Sequence, residues 1–173
     1  MEETIKYRCD NCGQDHDSWP ALTFKSPAPY HELSDEQKQE IAELDSDFCV
    51  IRHLDQTDRF IRCTFRQLVI DHCDDLEYGV SVSLSEKSFQ DYSDNYDNDQ
   101  HEVGYFGWLS NNIPDYIFDK SIPLDVLTQR GNKRPIIEPH ESFQHPFVYD
   151  FYNGISKAEA ERRISNMLNI GRK

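Results

Sequence analysis

The sequence lacks a long apolar run and is poor in positive charge. No segment of its 173 residues is long and apolar enough to span a bilayer, and its first residues lack the basic, apolar and small-residue series of a secretory leader. Lys and Arg number 18 against 32 Asp and Glu, which gives a formal net charge of −14. Such an excess repels nucleic acid and anionic membranes. We therefore expect a cytoplasmic protein that binds neither.

The chain also lacks the short motifs of common enzyme classes. It contains no glycine-rich phosphate loop, no Gly-x-Ser-x-Gly nucleophile elbow and no His-Glu-x-x-His zinc motif. These absences leave catalysis open, and they favour a protein that is not an enzyme.

Aromatic residues offset a modest apolar content. Hydrophobic residues make up 37% of the chain, but 10 Phe, 9 Tyr and 2 Trp can bury a large apolar area. We find no internal repeat and no linker. The sequence therefore predicts one domain over residues 1–173, with a loop-rich segment at 1–32 and an α+β core at 33–173.

The strand patterns predict an antiparallel, meander-like sheet. "YGVSVSLS" alternates strictly and directs three side chains to one face: Val80, Val82 and Leu84. Residues 48–70 have the composition of a hairpin around "DQTD", and residues 124–139 suggest two strands around a Gly-Asn turn. Strands joined by short turns, with flanking helices, indicate an α+β fold.

Serine residues mark the expected helix starts. Ser34, Ser85 and Ser156 each precede a helical pattern and can cap it, and Gln37 and Glu159 stand at capping-box positions. A further short helix is expected to end at Gly154, because glycine is favoured after a helix C-terminus.

Two cysteines near the N-terminus have the spacing of a zinc ligand pair. Cys9 and Cys12 are separated by two residues, and Gly13 after them permits a tight turn. We favour a structural zinc site with His16 and Cys49 as the remaining ligands, ahead of His145 as a further candidate. A thioredoxin-like redox pair fits less well, because that motif opens a helix. A pair of unbonded thiols is the other alternative.

The remaining donors are scattered along the chain. They are His31, His53, Cys63, His72, Cys73, His140 and His145. Cys63 lies in a strand pattern and is expected to be a small buried side chain. Cys73 and His72 are the residue types of a nucleophile and its base, but neighbours in an extended segment point to opposite faces. We therefore predict no catalysis at that pair.

Acidic residues are concentrated in the middle of the chain. Residues 71–102 contain ten Asp and Glu and one base, Lys87. Such a field attracts cations and basic proteins, although charge runs are also common on plain solvated surfaces. The candidate partner-binding residues are Asp91, Asp94, Asp97, Asp99 and Glu102.

Several stretches together resemble a bacterial family of uncharacterised proteins, the domain of unknown function 2199 family. They are "CDNCGQDH" (9–16), "DFCVI" (47–51), "RFIRC" (59–63), "YGVSVSLSEKSF" (78–89), "GYFGWLSNNIPDY" (104–116), "RPIIE" (134–138) and "HPFVYDFYNGIS" (145–156). The resemblance implies a small bacterial cytoplasmic protein and no particular activity. It also implies that Cys9, Cys12, His16, Cys49 and His145 are shared with the family.

Three functional hypotheses follow from the sequence. The favoured one is an acidic, non-enzymatic protein that binds a basic protein partner, for instance an immunity protein that neutralises a bacterial toxin by direct binding. The second is a metal-dependent enzyme that uses the Cys and His donors, which requires three protein ligands and an open position. The third is a structural zinc domain within a larger complex.

Overall fold

The computed structural model describes residues 6–8, 13 and 15–170 and shows a mixed β structure with short helices. In chain order its elements are β1 (Lys6–Arg8), β2 (Asp15–Asp17), β3 (Leu22–Thr23), α1 (Ala28–His31), α2 (Asp35–Ile41), β4 (Ala42–Leu44), β5 (Phe48–Arg52), β6 (Thr57–Gln67), β7 (Leu76–Leu84), α3 (Glu86–Asp94), β8 (Gly104–Leu109), β9 (Pro123–Leu127), β10 (Ile136–Pro139), α4 (Pro146–Asn153) and α5 (Lys157–Ile170).

Strands β6 to β10 form a closed five-stranded barrel. Each strand from β6 to β9 pairs antiparallel with the next, and β10 returns to β6 through a parallel pair between Ile136 and Thr64. β3 joins the outer edge of β7, also in parallel, and β4 and β5 extend the sheet beyond the first half of β6. The barrel thus has three further strands attached to it.

The predicted antiparallel, meander-like sheet is therefore wrong. The sheet closes on itself, and two of its pairings are parallel. Local alternation shows which face of a strand is buried, but it does not show which distant strand lies alongside. The Cys-x2-Cys part of the same prediction lies outside the described residues.

The barrel interior follows the alternation expected from the sequence. Val80, Val82 and Leu84 are all buried, as predicted, and Cys63 on β6 is fully buried opposite Val80. α4 and α5 contribute to the same core through Phe147 and Ile164. Because these buried residues form one continuous cluster, barrel and C-terminal helices share a single core.

The helix starts also agree with the sequence. Ser34 caps α2 in a complete capping box with Gln37, and the Ser85 side chain accepts from the backbone N–H of Ser88. The Ser156 hydroxyl accepts from the N–H of Glu159 at 3.1 Å. α4 ends before Gly154, whose φ of +85° suits glycine. Within the described residues, no helix is long and apolar enough to cross a bilayer.

The outer side of β6 and β7 is buried as well. Arg62 and Ser81 point away from the barrel interior and are 6% and 1% exposed. Arg62 donates from Nη1 to the backbone carbonyl of Phe24. Asn111 joins the layers, because its Oδ1 accepts from Ser81 N–H at 2.7 Å and its amide donates to the Ser26 carbonyl at 2.8 Å. The segment around β3 and α1 therefore covers this side of the barrel.

Candidate functional site

The predicted zinc segment begins in a separate two-stranded ribbon. β1 and β2 pair antiparallel, with Tyr7 opposite His16. Cys9 and Cys12 fall between these strands in the sequence and lie outside the described residues. Gly13, also between them, has φ of +70°, a conformation that glycine adopts without strain. The described part of this segment is therefore one antiparallel pair of short strands, which precede and follow the Cys-x2-Cys sequence.

Cys49 lies in an apolar environment. It is 2% exposed, lies opposite Phe60, and forms a small cluster with Ile51 and Phe60. Burial, followed by the charge of Asp45, raises the pKa of its thiol to about 12. Among the described residues, its surroundings are those of a core side chain.

His72 and Cys73 lie on the turn that joins β6 to β7. The His72 ring stacks on Trp19, with ring centroids 4.0 Å apart and planes 15° from parallel. Cys73 lines an open pocket of about 440 Å³ together with Ser18 and Trp19. The structure therefore brings this pair of donors beside the chain that leaves β2.

The described part of the chain holds no complete metal site. Within residues 6–8, 13 and 15–170, no three His, Cys, Asp or Glu side chains are close enough to hold one ion. His145, a position shared with the family, instead caps α4: its Nδ1 accepts from the Phe147 N–H and its Nε2 bonds to the Ile117 carbonyl at 2.8 Å. Those two bonds fix the ring in a structural role.

The predicted partner-binding acids lie on α3 and the loop after it. Two of them are engaged within the protein: Asp91 accepts from the Tyr105 hydroxyl at 2.6 Å, and Glu102 pairs with Arg130 at 2.8 Å. The carboxylates of Asp94 and Asp99 accept hydrogen bonds from the side-chain amides of the nearby Gln90 and Gln100. Asp97 is exposed. Three of the five acids are thus available to a partner.

A small polar pocket lies beside these acids at one end of the barrel. Asp47 receives hydrogen bonds from Arg134 Nε at 2.9 Å and from the Tyr96 hydroxyl at 2.8 Å. These bonds lower the pKa of Asp47 although burial opposes them. His101 Nε2 lies 2.9 Å from the hydroxyl of Tyr105. The pocket holds only about 40 Å³, so it has room for little more than ordered water.

The outer side of β8, β9 and β10 forms a surface that we call the aromatic–acidic face. It consists of Phe106, Trp108, Asp125, Glu138 and Tyr152, the last from α4. Phe106 lies opposite Asp125, which lies opposite Glu138, so the three share one side of the sheet. The rings of Phe106 and Trp108 are 5.0 Å apart and edge to face.

The aromatic–acidic face is open to solvent. Phe106 is 48% exposed, Trp108 42% and Tyr152 40%. The Tyr152 hydroxyl donates to the Pro139 carbonyl at 2.5 Å. Burial and then the negative charges of Glu138, Glu141 and Asp125 raise the pKa of Tyr152. The face therefore combines exposed aromatic area with the carboxylates of Asp125 and Glu138, and Asp125 lies 3.0 Å from His140 Nε2.

Sequence reasoning missed this face. "GYFGWL" has no clear period of two, because glycines occupy two of its six positions and aromatic residues fall on both sides of β8. Gly107 is needed there, since a Cβ at that position would lie 2.5 Å from Val82 Cγ1. The only sequence signal for this face was an absence of positive charge, because β8, β9 and β10 contain no Lys or Arg.

Comparison with known proteins gives a family and no closer relative. No curated protein and no solved structure matches the chain. The model of a family described as an uncharacterized protein conserved in bacteria (DUF2199) matches residues 8–155, which include the barrel and most of the N-terminal segment. The chain belongs to this DUF2199 family of bacterial proteins.

Proposed function

We propose that this protein is a non-enzymatic binding protein whose partner is a protein with a basic surface, and that a structural zinc ion stabilises its N-terminal segment. The observation that carries the proposal is the aromatic–acidic face. Exposed aromatic side chains next to one another, surrounded by polar residues, are typical of protein interaction sites. Trp and Tyr are also the residues that most often dominate binding energy.

The chemistry of the face indicates the kind of partner. Lys and Arg side chains can place their alkyl stems on the rings of Phe106 and Trp108 and their charges near Asp125 and Glu138. A cation over an aromatic ring contributes about 0.5–2 kcal/mol, depending on how well it is desolvated. An acidic partner would instead meet like charge. The face thus selects for a basic surface.

The whole-molecule charge supports the same assignment. A net charge of −14 and the acids of residues 71–102 accelerate encounter with a basic protein over a range of about 10 Å at 0.1 M salt. A basic bacterial toxin is one such partner, and the protein would then act as its immunity protein. Tight toxin binding requires both rapid encounter and a well-packed aromatic contact.

The test begins with a photo-crosslinking side chain at position 108 in the native bacterium. The matched control is the same side chain at position 54, because Leu54 is fully exposed on the turn between β5 and β6. The protein captured at 108 and not at 54 is then purified. Its affinity is measured for the parent and for three variants: Trp108→Ala, Asp125→Asn and Leu54→Ala.

The expected result is a basic partner whose Kd rises at least tenfold with Trp108→Ala and does not change with Leu54→Ala. That increase corresponds to about 1.4 kcal/mol or more, within the range of an aromatic hot spot. The loss of affinity caused by Asp125→Asn should be larger at low salt than at high salt, because salt screens the charge that this variant removes. An equal Kd for the Trp108 and Leu54 variants, or a captured partner that is acidic, would overturn the proposal.

A further inference from the structure

We propose that His140 is a specificity-determining residue of the aromatic–acidic face, and that its protonation releases a basic partner in acid. The inference rests on the proposed function, because it concerns the regulation of the same face. It assigns His140 two states. A neutral imidazole leaves the face negative, and an imidazolium occupies Asp125 and repels the cations of the partner.

The strand register places His140 among the residues of the face. Trp108 lies opposite Pro123, and the backbone N–H of His140 donates to the Pro123 carbonyl at 3.0 Å. Asp125 and Glu138 lie two positions away from Pro123 and His140 along the chain, and they are opposite one another. Because side chains two positions apart in a strand share one side, His140 belongs to the surface that a partner on Trp108 would cover.

Two side-chain contacts fix the position of the His140 ring. Its Nε2 lies 3.0 Å from Asp125 Oδ1, and its ring meets the Phe106 ring edge to face with the centroids 5.5 Å apart. The His140 side chain is 32% exposed. The ring can therefore exchange protons with solvent in the free protein while it contacts both an aromatic and an acidic member of the face.

The titratable groups that face His140 come from β9, β10, the segment after β10, and α4. They are Asp125, Glu138, Glu141 and Tyr152, whose hydroxyl donates to the carbonyl of the preceding Pro139. β8, β9, β10 and α4 contain no Lys or Arg. One proton on His140 is thus a large fraction of the charge that a partner meets at this place.

Protonation of the imidazole changes what the face can bind. A neutral His140 leaves Asp125 with its full charge for a Lys or Arg of the partner, because a carboxylate can accept several hydrogen bonds. An imidazolium forms an ion pair with that carboxylate and places its own charge beside Phe106, where a cation of the partner would stack. The partner then loses one ion pair and meets like charge.

The direction of the pH dependence follows from proton linkage. A bound cation repels the proton on His140, so binding of a basic partner displaces that proton wherever the imidazole is charged. Affinity is therefore highest where the imidazole is neutral, and it falls as the pH drops through the range of about 8 to 5 in which histidine gains its charge. One displaced proton limits the fall to about tenfold per pH unit.

The experiment measures Kd at pH 8 and pH 5.5 with two probes and the full chain. The first probe is the partner captured at position 108. The second is hexa-arginine, whose binding at the face is followed through the backbone amide NMR shifts of Asp125 and Glu138. For both probes the Kd of the parent should rise about fivefold or more between pH 8 and pH 5.5.

Two variants of His140 fix its charge. His140→Gln keeps a neutral polar side chain, so its Kd should rise by less than about twofold over the same range. His140→Arg carries a permanent charge and should bind about fivefold more weakly than the parent at pH 8. Circular dichroism of each variant at both pH values is the folding control.

The matched control is His53→Gln, which removes a second histidine–carboxylate pair outside the face. His53 Nε2 lies 3.1 Å from Asp58 Oδ2, and its side chain is 35% exposed. Its geometry and exposure therefore resemble those of His140 and Asp125. His53→Gln should keep the pH dependence of the parent with both probes.

The outcomes separate this inference from the proposed function. If His140→Gln loses affinity in acid as steeply as the parent, His140 does not control the face, and the proposed function stands as long as Trp108→Ala still weakens the captured partner. If no basic partner is captured at position 108, the proposed function fails, and hexa-arginine still decides whether His140 controls cation binding. Unperturbed amide shifts of Asp125 and Glu138 with hexa-arginine at pH 8 would overturn the inference as well, because the face would then bind no cation.

Discussion

The guanidinium group of Arg163 lies over the ring of Tyr116, 4.9 Å from the ring centre, and donates from Nη2 to the Tyr116 hydroxyl at 2.8 Å. Arg163 is 3% exposed, and its Nε donates to Glu159 at 3.0 Å. The Tyr116 hydroxyl in turn donates to Asp150 on α4 at 2.5 Å. This network joins both C-terminal helices to the loop between β8 and β9.

Removal of the Arg163 charge should destabilise the fold strongly. Arg163→Met removes the buried cation that contacts Glu159, Asp115 and Asp150. Arg162 still pairs with the first two of these acids, so we expect the free energy of unfolding to fall by about 3 kcal/mol, the lower end of the range for a broken buried pair. Guanidinium denaturation measures it. The control Arg52→Met removes an exposed ion pair with Glu43 and should cost less than about 1 kcal/mol. Equal losses for the two variants would contradict the network.

Glu159 should make stability depend on acid pH. The hydrogen bond from Arg162 lowers the pKa of this carboxyl most. Burial acts in the opposite direction, but the hydrogen bond from Arg163 adds to the lowering, and the pKa falls to about 2. Because the folded-state pKa lies below the unfolded value of about 4.3, the contribution is complete above that value and is lost as the pH falls toward 2. Glu159→Gln should therefore cost about 1–2 kcal/mol at pH 7, after allowance for solvent screening, and much less at pH 2.5.

Denaturation of the parent and of Glu159→Gln between pH 7 and pH 2.5 checks this dependence. Glu161→Gln is the control on the same helix, since its carboxylate makes only a 3.9 Å exposed pair with Lys157. A difference between parent and Glu159→Gln that stays constant over this range would show that the carboxylate charge is not responsible.

Two glycines on β8 should respond differently to the same substitution. A Cβ at Gly107 would lie 2.5 Å from Val82 Cγ1 and 3.0 Å from the Ser83 carbonyl oxygen, whereas at Gly104 the nearest atom would be 3.6 Å away. Gly107→Ala should destabilise by about 1–3 kcal/mol through overpacking, and Gly104→Ala by less than about 0.5 kcal/mol. Thermal melting of the Gly107→Ala and Gly104→Ala variants measures the two losses of stability. Similar melting temperatures would mean that β8 packs more loosely than described.

The acidic segment should govern the rate of association. Asp94→Asn, Asp97→Asn and Asp99→Asn together remove three charges that make no ion pair within the described residues. Association with the partner captured at position 108 should slow several-fold at low salt, while dissociation stays the same. Stopped-flow or surface kinetics measures both rates.

The control triple variant Glu32→Gln, Glu36→Gln and Glu40→Gln changes net charge equally at exposed positions on and before α2. An unchanged association rate in the Asp94, Asp97 and Asp99 variant would mean that the segment is only a solvated surface. Equal slowing by both triple variants would assign the steering to net charge instead of to this segment.

Local features were largely readable in the sequence. Alternation in "YGVSVSLS" identified the buried side of β7, and serine caps identified the starts of α2, α3 and α5. These features depend on a few neighbouring residues and on the geometry of one strand or one helix turn. Glu159 departs from its predicted capping-box role, because its carboxylate bonds to Arg162 and Arg163 instead.

The barrel and the candidate sites depended on contacts between distant residues. Closure rests on Ile136 beside Thr64, and the aromatic–acidic face exists only because β8, β9 and β10 align in one register. Trp19 meets His72 through the path of the chain after β2. The sequence by itself determined composition, charge and the local elements. Strand closure, the burial of Arg163 and the stacking of Trp19 on His72 were decided by tertiary packing, because no periodic pattern encodes which distant surfaces come together.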